Sequence, residues 1–122
     1  MGMNTNVVTI IGRLVRDVEL KFTSNNKSYV NFSIAVNGYR DDETSFFDVV
    51  VWEKTAENVA AYTFKGQLLC VMGSLVQKHW KDRDGNKQNK IQINGRTVEF
   101  LSYPKEQQQQ RNYGQQEEET PF

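Results

Sequence analysis

Residues 45–53 have the composition of a β-strand whose two faces differ in chemistry. The run is rich in β-branched and aromatic residues and contains neither Gly nor Pro. Because successive side chains of a strand point to opposite faces, one face is purely apolar and consists of Phe47, Val49 and Val51. The other face mixes aromatic residues with an acid and consists of Phe46, Asp48, Val50 and Trp52. We expect the first face to pack in a core.

The acid on the mixed face indicates what that face contacts. An ionised Asp48 would cost several kcal/mol in a dry core, so we expect Phe46 and Trp52 to lie on a surface that meets water or a flat ligand. The alternative is that both aromatic residues belong to a second core or to a subunit interface.

Residues 29–39 show a second, cleaner alternation. The face expected in the core consists of Val30, Phe32, Ile34 and Val36, and the opposite face is polar with Tyr29 and Tyr39 at its ends. The charged segment 39–44 predicts a hairpin loop that pairs the two strands antiparallel. Their outer faces would then lie side by side. Of the aromatic residues, Tyr29 is the one that we expect to be partly buried or in an oligomer contact.

The remaining segments complete a small β fold. We expect a long first strand over 7–14 that resumes over 18–22, with Gly12 marking a bend or a close backbone approach. A helix is predicted over 54–65, capped by Thr55, with Ala56, Val59 and Ala60 on one stripe and Gly66 at its end. Further strands are predicted from residue 68 to 80 and from 90 to 103, joined by a hairpin tip over 81–87. Five strands with a helix between the third and fourth predict an all-β, five-stranded OB-type Greek-key barrel, with another small β-barrel as the alternative.

The chain divides near residue 103. Residues 1–103 hold 13 basic against 11 acidic side chains, whereas residues 104–122 hold 2 against 4. The second segment is rich in Gln and has no apolar periodicity, so we expect a disordered linker that ends in an acidic tip. We therefore expect one folded domain over 1–103 and a disordered tail over 104–122.

Composition excludes several classes of protein. The single cysteine, Cys70, cannot form an intrachain disulfide, and no apolar run approaches the roughly 20 residues that span a bilayer, so we expect a cytoplasmic protein without a membrane partner. One histidine, His79, and one cysteine provide almost no material for a metal centre or a nucleophile with its base. No phosphate-binding glycine loop is present. We expect no enzymatic activity and no cofactor.

The sequence does place aromatic residues next to basic ones on the predicted outer faces. Tyr39 precedes Arg40, Trp52 is near Lys54, and Trp80 lies between Lys78 and Lys81. Unpaired bases stack on aromatic rings, worth ~1–3 kcal/mol per base, while cations contact the phosphates. A duplex hides its base faces and attracts proteins mainly by charge, of which this chain has no excess. The pattern favours binding of single strands.

Four segments carry a family resemblance. The run 11–17, the block 46–57, the segment 62–66 and the stretch from Gly73 to Trp80 make residues 4–103 similar to bacterial-type single-stranded DNA-binding proteins. The resemblance implies an OB fold, a homotetramer, nucleoid association, and binding of single-stranded DNA without sequence preference. It implies base stacking by Tyr39, Phe46, Trp52 and Trp80. It implies phosphate contacts by residues drawn from Arg13, Lys21, Lys54, Lys65, Lys78 and Lys81.

The acidic end resembles the family's partner-binding tip with altered residues. The tip consists of Glu117, Glu118, Glu119, Thr120, Pro121 and Phe122, with glutamates and a threonine where the family usually carries aspartates and a hydrophobic residue. The resemblance implies recruitment of DNA replication, recombination and repair proteins through this tip. The alternatives are an OB protein that binds single-stranded RNA and a protein-interaction adaptor whose aromatic residues form a subunit interface.

Overall fold

The computed structural model describes residues 3–40 and 42–102 and shows a small β-barrel with one helix. The elements, in chain order, are β1 (Val8–Leu14), β2 (Lys21–Phe22), β3 (Ser28–Asn37), β4 (Thr44–Trp52), α1 (Glu53–Tyr62), β5 (Leu68–Lys81) and β6 (Lys87–Phe100). No helix among these residues has the length and apolar character needed to cross a membrane.

The sheet closes on itself. The strand order is β1-β5-β6-β4-β3-β2, and an additional pairing of β1 with β3 completes a ring of five strands. The β4–β6 pair is parallel and the other pairs are antiparallel. The two-residue β2 extends the edge of β3 and is not part of the ring. The predicted five-stranded OB-type barrel is thereby confirmed.

The interior of the barrel is filled by the faces that alternation assigned to it, with two exceptions in β4. The fully buried core consists of Leu14, Val30, Ile34, Val49, Val51, Ala56, Val59, Leu69, Val71 and Ile93, with Phe32 nearly so. Phe47, predicted to be in the core, is 38% exposed because β4 pairs with β6 only at Val49 and Val50, which leaves Phe47 beyond that pairing. Val50 is buried although it shares a face with Phe46, since β6 runs beside it and pairs Asn94 with it.

Gly12 lies at a close backbone approach, as its position inside a strand predicted. At this point β1 pairs with β5 through Gly12 and Leu69, and one residue later with β3 through Arg13 and Ala35. A Cβ on Gly12 would collide with the Ala35 carbonyl oxygen and the Ile34 Cγ2 methyl. The absence of a side chain therefore allows β1 to join both neighbours and close the ring.

The helix begins earlier and ends earlier than its sequence pattern predicted. Trp52 occupies the N-cap position without a side-chain hydrogen bond, and Thr55 lies inside the helix, so the predicted Thr55 cap is wrong. The helix ends at Tyr62 because the following residues form a turn around the buried Gln67, whose Oε1 accepts the N–H of Phe64. Ala56 and Val59 are buried as expected, which fixes α1 against the barrel.

Glu53, the first residue of α1, adopts a left-handed backbone conformation with φ of 51°. L-residues pay roughly 1 kcal/mol for this region, whereas Gly enters it freely. We expect Glu53→Gly to raise the free energy of unfolding by about 1 kcal/mol in a thermal denaturation measurement. Glu57→Gly in the same helix is the matched control and should lower stability by a similar amount. A lower melting temperature for Glu53→Gly would contradict this interpretation of the turn.

Candidate nucleic-acid interface

The register of β3 and β4 brings their outer faces into one surface. Tyr29 is opposite Trp52, Ser33 opposite Asp48, and Ala35 opposite Phe46. Phe46 has an exposed fraction of 65%. Because its cross-strand neighbour is the small Ala35, no bulky side chain covers it from β3. The ring is available to a flat ligand.

Trp52 stands at the other end of this surface and is held in place by Tyr29. The two ring centroids are 5.4 Å apart with an interplanar angle of 35°. Trp52 remains 39% exposed, whereas Tyr29 is partly buried, as the sequence predicted. Aromatic pairs at this separation attract one another, so Tyr29 restricts the orientation of the indole before any ligand arrives.

Trp80 lies on the β5–β6 hairpin, whose arms extend beyond the core. Its exposed fraction is 47%, and it lines a shallow pocket with Lys81 and Lys87, which are paired across the hairpin. The tip is ordered by Asp82, whose Oδ1 accepts the backbone N–H groups of Asp84 and Asn86 at 3.0 and 2.9 Å. These hydrogen bonds lower the pKa of Asp82, and the one from the Asn86 N–H has the largest effect.

Tyr39 is set apart from the strand surface. It lies just beyond the end of β3 in the turn toward β4 and is fully exposed. Strand alternation alone placed it on the outer face, and the structure instead presents it from the hairpin loop.

An open cleft of about 690 Å³ adjoins the outer faces of β3 and β4. Its basic lining residues are Arg16, Lys21, Lys78 and Lys90, and its acidic ones are Asp17, Glu19 and Asp48. Lys78 and Lys90 are directly opposite one another on β5 and β6. Strand alternation places Trp80 on the same face as Lys78, so the hairpin joins an exposed ring to the cationic side of the cleft.

Asp48 is partly exposed at the floor of this surface and forms an ion pair. Its Oδ2 lies 2.7 Å from the Lys90 Nζ, and its Oδ1 accepts a hydrogen bond from the Ser33 Oγ at 2.8 Å. The Lys90 hydrogen bond first, and then that of Ser33, hold the pKa of Asp48 below its ordinary value of 3.8. The expectation that this face is not a dry core is confirmed.

The lowered pKa of Asp48 predicts a contribution to acid sensitivity. A carboxylate with a lower pKa in the folded state stabilises the fold above its unfolded pKa, and this stability is lost as the pH falls through the folded pKa. Between about pH 5 and about pH 2 we expect the melting temperature of the wild type to fall more than that of Asp48→Asn. The Asp82 carboxyl, also lowered, is present in both proteins and cancels in the comparison. Parallel pH profiles would contradict the prediction.

The structure separates the six predicted phosphate-contact residues into groups. Lys21 and Lys78 line the cleft, Lys81 lies beside Trp80, and Lys54 follows Trp52 at the start of α1. Arg13 and Lys65 do not line the cleft: the Arg13 Nη1 donates to the carbonyl of Gly66 at 3.0 Å, next to Lys65. Among the described residues no group of three or more His, Cys, Asp or Glu side chains could hold a metal ion.

A sequence model of the Single-strand binding protein family matches residues 5–101. The chain belongs to this family. A single-stranded DNA-binding protein of Treponema pallidum is 38% identical over 104 residues, covering 80% of this chain and 58% of the relative. Single-stranded DNA-binding protein 1 of Clostridium acetobutylicum is 39% identical over 109 residues, covering 83% of this chain and 97% of the relative.

The family includes longer proteins, and its fold is shared by a solved structure. This chain spans 58% of the Treponema pallidum relative and 34% of the relative from Deinococcus radiodurans. The solved structure is a Plasmodium falciparum SSB in complex with ssDNA, with a TM-score of 0.74 and 21% identity, covering 84% of this chain and 99% of that chain. At this identity the likeness supports the barrel fold alone.

Sequence reasoning missed three basic residues of this single-strand binding family member. Arg16 and Lys90 line the cleft, and Lys87 accompanies Trp80. The pairing of β5 with β6 was the available signal for Lys87 and Lys90, because counting outward from the predicted hairpin tip pairs Lys81 with Lys87 and Lys78 with Lys90. No comparable signal indicated Arg16, which lies outside both strands. The acidic tip lies outside the described residues.

Proposed function

We propose that this chain binds single-stranded DNA without sequence preference. The observation that carries the proposal is that three exposed rings, Phe46, Trp52 and Trp80, lie on β4 and β5, two of the strands that flank a cleft lined by four basic and three acidic side chains. Stacking accepts any base because every base has a π-face. The names of the relatives from Treponema pallidum and Clostridium acetobutylicum support DNA as the ligand. Tyr39, in its exposed loop, is the fourth stacking residue of the proposal.

The phosphate contacts of the proposal come from lysine pairs as well as single residues. Like charges directly opposite one another across two strands are destabilising, and both Lys78–Lys90 and Lys81–Lys87 have this arrangement. A phosphate at either pair would relieve the repulsion. Lys21, which lines the cleft, and Lys54, at the start of α1, are further phosphate contacts of the proposal. Arg13 and Lys65 remain in the proposal as contacts for a strand that continues past the cleft.

A competition experiment tests the ligand class. A labelled oligo-dT is bound to the protein, and unlabelled single-stranded DNA, duplex DNA and RNA of equal length are added as competitors. We expect single-stranded DNA to displace the label at a concentration at least about tenfold below that of the duplex, because base pairing hides the stacking faces. RNA that competes better than DNA would favour the alternative of a single-stranded RNA-binding protein.

A test of the adaptor alternative uses the double variant Phe46→Ala/Trp52→Ala. If these rings bind DNA, the variant loses DNA affinity and keeps its oligomeric mass. If they form a subunit interface, the variant dissociates instead. Native mass spectrometry of the free protein and of its oligonucleotide complex separates the two results.

We also propose a homotetramer. Large apolar side chains are exposed on β1 and on the β5–β6 hairpin, at Ile11, Leu75, Val76 and Ile91. Burying such side chains between subunits removes apolar surface from water and favours association. The number of four subunits is what the family resemblance implies. The native mass of the free protein should be four times the chain mass, and a monomeric mass would contradict this part of the proposal.

The last part of the proposal assigns different roles to two segments of the chain. We propose that residues 1–103 are the DNA-binding domain, and that the acidic tip of residues 104–122, which lie outside the described residues, recruits replication, recombination and repair proteins in the cytoplasm at the nucleoid. A chain that ends after residue 103 should keep its affinity for single-stranded DNA. Phe122→Ala in the full chain should keep that affinity and lose copurification of those proteins, because a C-terminal aromatic with acidic neighbours suits an apolar pocket rimmed by basic residues. Unchanged copurification would contradict a role for the tip.

A further inference from the structure

An ion pair occupies the surface on which DNA is proposed to lie. Asp48 is on the outer face of β4 between the two rings Phe46 and Trp52, and its Oδ2 is 2.7 Å from the Lys90 Nζ. Ser33 donates a second hydrogen bond to the same carboxylate at 2.8 Å. A fixed negative charge is therefore built into a surface whose ligand is a polyanion.

The pair adds only a small amount to the stability of the fold. The side chains of Asp48 and Lys90 are both more than one-third exposed. Ion pairs exposed to this degree contribute little to stability, because water screens them. The core beneath the pair does not depend on it, since Val49 of β4 and Ile93 of β6 are paired with each other and are both buried.

The pair does change the charge of the cleft. Lys90 is directly opposite Lys78, with Lys21 and Arg16 lining the same space. The Asp48 carboxylate meets the Lys90 ammonium as a phosphate oxygen would. The comparable pair Lys81–Lys87, nearer the hairpin tip, has no carboxylate within ion-pair distance among the described residues. One of the two lysine pairs is thus open to a phosphate and the other is partly neutralised.

We infer that Asp48 withholds Lys90 from the DNA backbone and thereby limits the affinity of the cleft for single-stranded DNA. The inference rests on the proposed function and identifies Asp48 as a residue that sets affinity. Binding then requires a phosphate to compete with Asp48 for the Lys90 ammonium. Removing the carboxylate charge releases Lys90 for a phosphate contact and removes a repulsion from the site.

The substitution Asp48→Asn tests this directly. Asn has the same shape and keeps an oxygen that can accept the Ser33 hydroxyl, while the negative charge is lost. At low salt we expect binding of oligo-dT to tighten about fivefold. The slope of log K against log salt should become steeper by about 0.7, the value for one additional phosphate on a single strand.

Two further variants separate a local effect from a change of net charge. Glu57→Gln removes one negative charge from the exposed surface of α1, which contributes no residue to the cleft, and should leave affinity and slope unchanged. Asp48→Asn/Lys90→Gln should lose the steeper slope of the single variant, because the released lysine is absent. A melting curve of each variant confirms that it is folded at the temperature of the titration.

The outcomes distinguish failure of the inference from failure of the proposed function. A steeper slope in Asp48→Asn alone supports the inference. An unchanged or weaker affinity in that variant, an equal gain in Glu57→Gln, or a steeper slope that persists without Lys90 would each overturn it while DNA binding stands. Absence of binding by the wild type at low salt would instead overturn the proposed function.

Discussion

Phe46→Ala/Trp80→Ala is expected to weaken the binding of oligo-dT by about a hundredfold to a thousandfold. Each stacked base contributes ~1–3 kcal/mol, and these two rings, on β4 and β5, are 65% and 47% exposed. Each single variant should lose about fivefold or more. Fluorescence anisotropy of a labelled oligonucleotide at constant salt measures the change.

The structure supplies a matched control for this variant. Tyr62 is an exposed aromatic residue at the end of α1, outside the cleft, so Tyr62→Ala removes a comparable ring without touching the proposed surface. Its affinity should equal that of the wild type. Because Phe46 and Trp80 are outside the buried core, the double variant should melt close to the wild type. If Phe46→Ala/Trp80→Ala lost less than about threefold in affinity for oligo-dT, the stacking roles of the two rings would be contradicted.

Gly12→Ala is expected to lower the free energy of unfolding more than the addition of one methyl group at any other position of β1. The new Cβ would collide with the Ala35 carbonyl oxygen and the Ile34 side chain. Neither group can move aside, since Ile34 is fully buried and Ala35 of β3 is paired with Phe46 of β4. Overpacking against backbone costs about 3 kcal/mol. Chemical denaturation measures the change.

Thr9→Ala is the control for this variant, because Thr9 is exposed on the same strand. Its free energy of unfolding should lie within about 0.5 kcal/mol of the wild type. A Gly12→Ala protein as stable as Thr9→Ala would show that β1 does not need its close approach to β3, and the closure of the ring would have to be explained otherwise.

The parts of the fold that sequence predicted are those determined by local patterns. Alternation over 29–39 and 45–53 predicted β3 and β4, and the charged loop between them predicted their antiparallel pairing. The acid among the aromatic residues of β4 predicted a surface that is not a dry core, and Asp48 is partly exposed and paired with Lys90. These inferences need only neighbours along the chain, so they do not depend on how distant segments meet.

The parts that sequence did not predict depend on contacts between distant segments. Lys90 meets Asp48 because β6 lies beside β4 in parallel, a pairing that joins residues more than forty positions apart. Strand β6 also buries Val50, which strand alternation had placed on the outer face of β4. The early end of α1 follows from the buried Gln67, whose amide orders the turn after the helix and donates to the carbonyl of Ser102.

Tryptophan fluorescence during an oligo-dT titration tests the central claim most directly, because the chain contains only two tryptophans, Trp52 and Trp80. Trp80→Phe and Trp52→Phe each leave one indole as the reporter and keep an aromatic ring at the other site. At low salt we expect saturable quenching of both reporters, since a base stacks on each ring. Unchanged emission from both reporters at oligonucleotide concentrations that saturate the protein would contradict it.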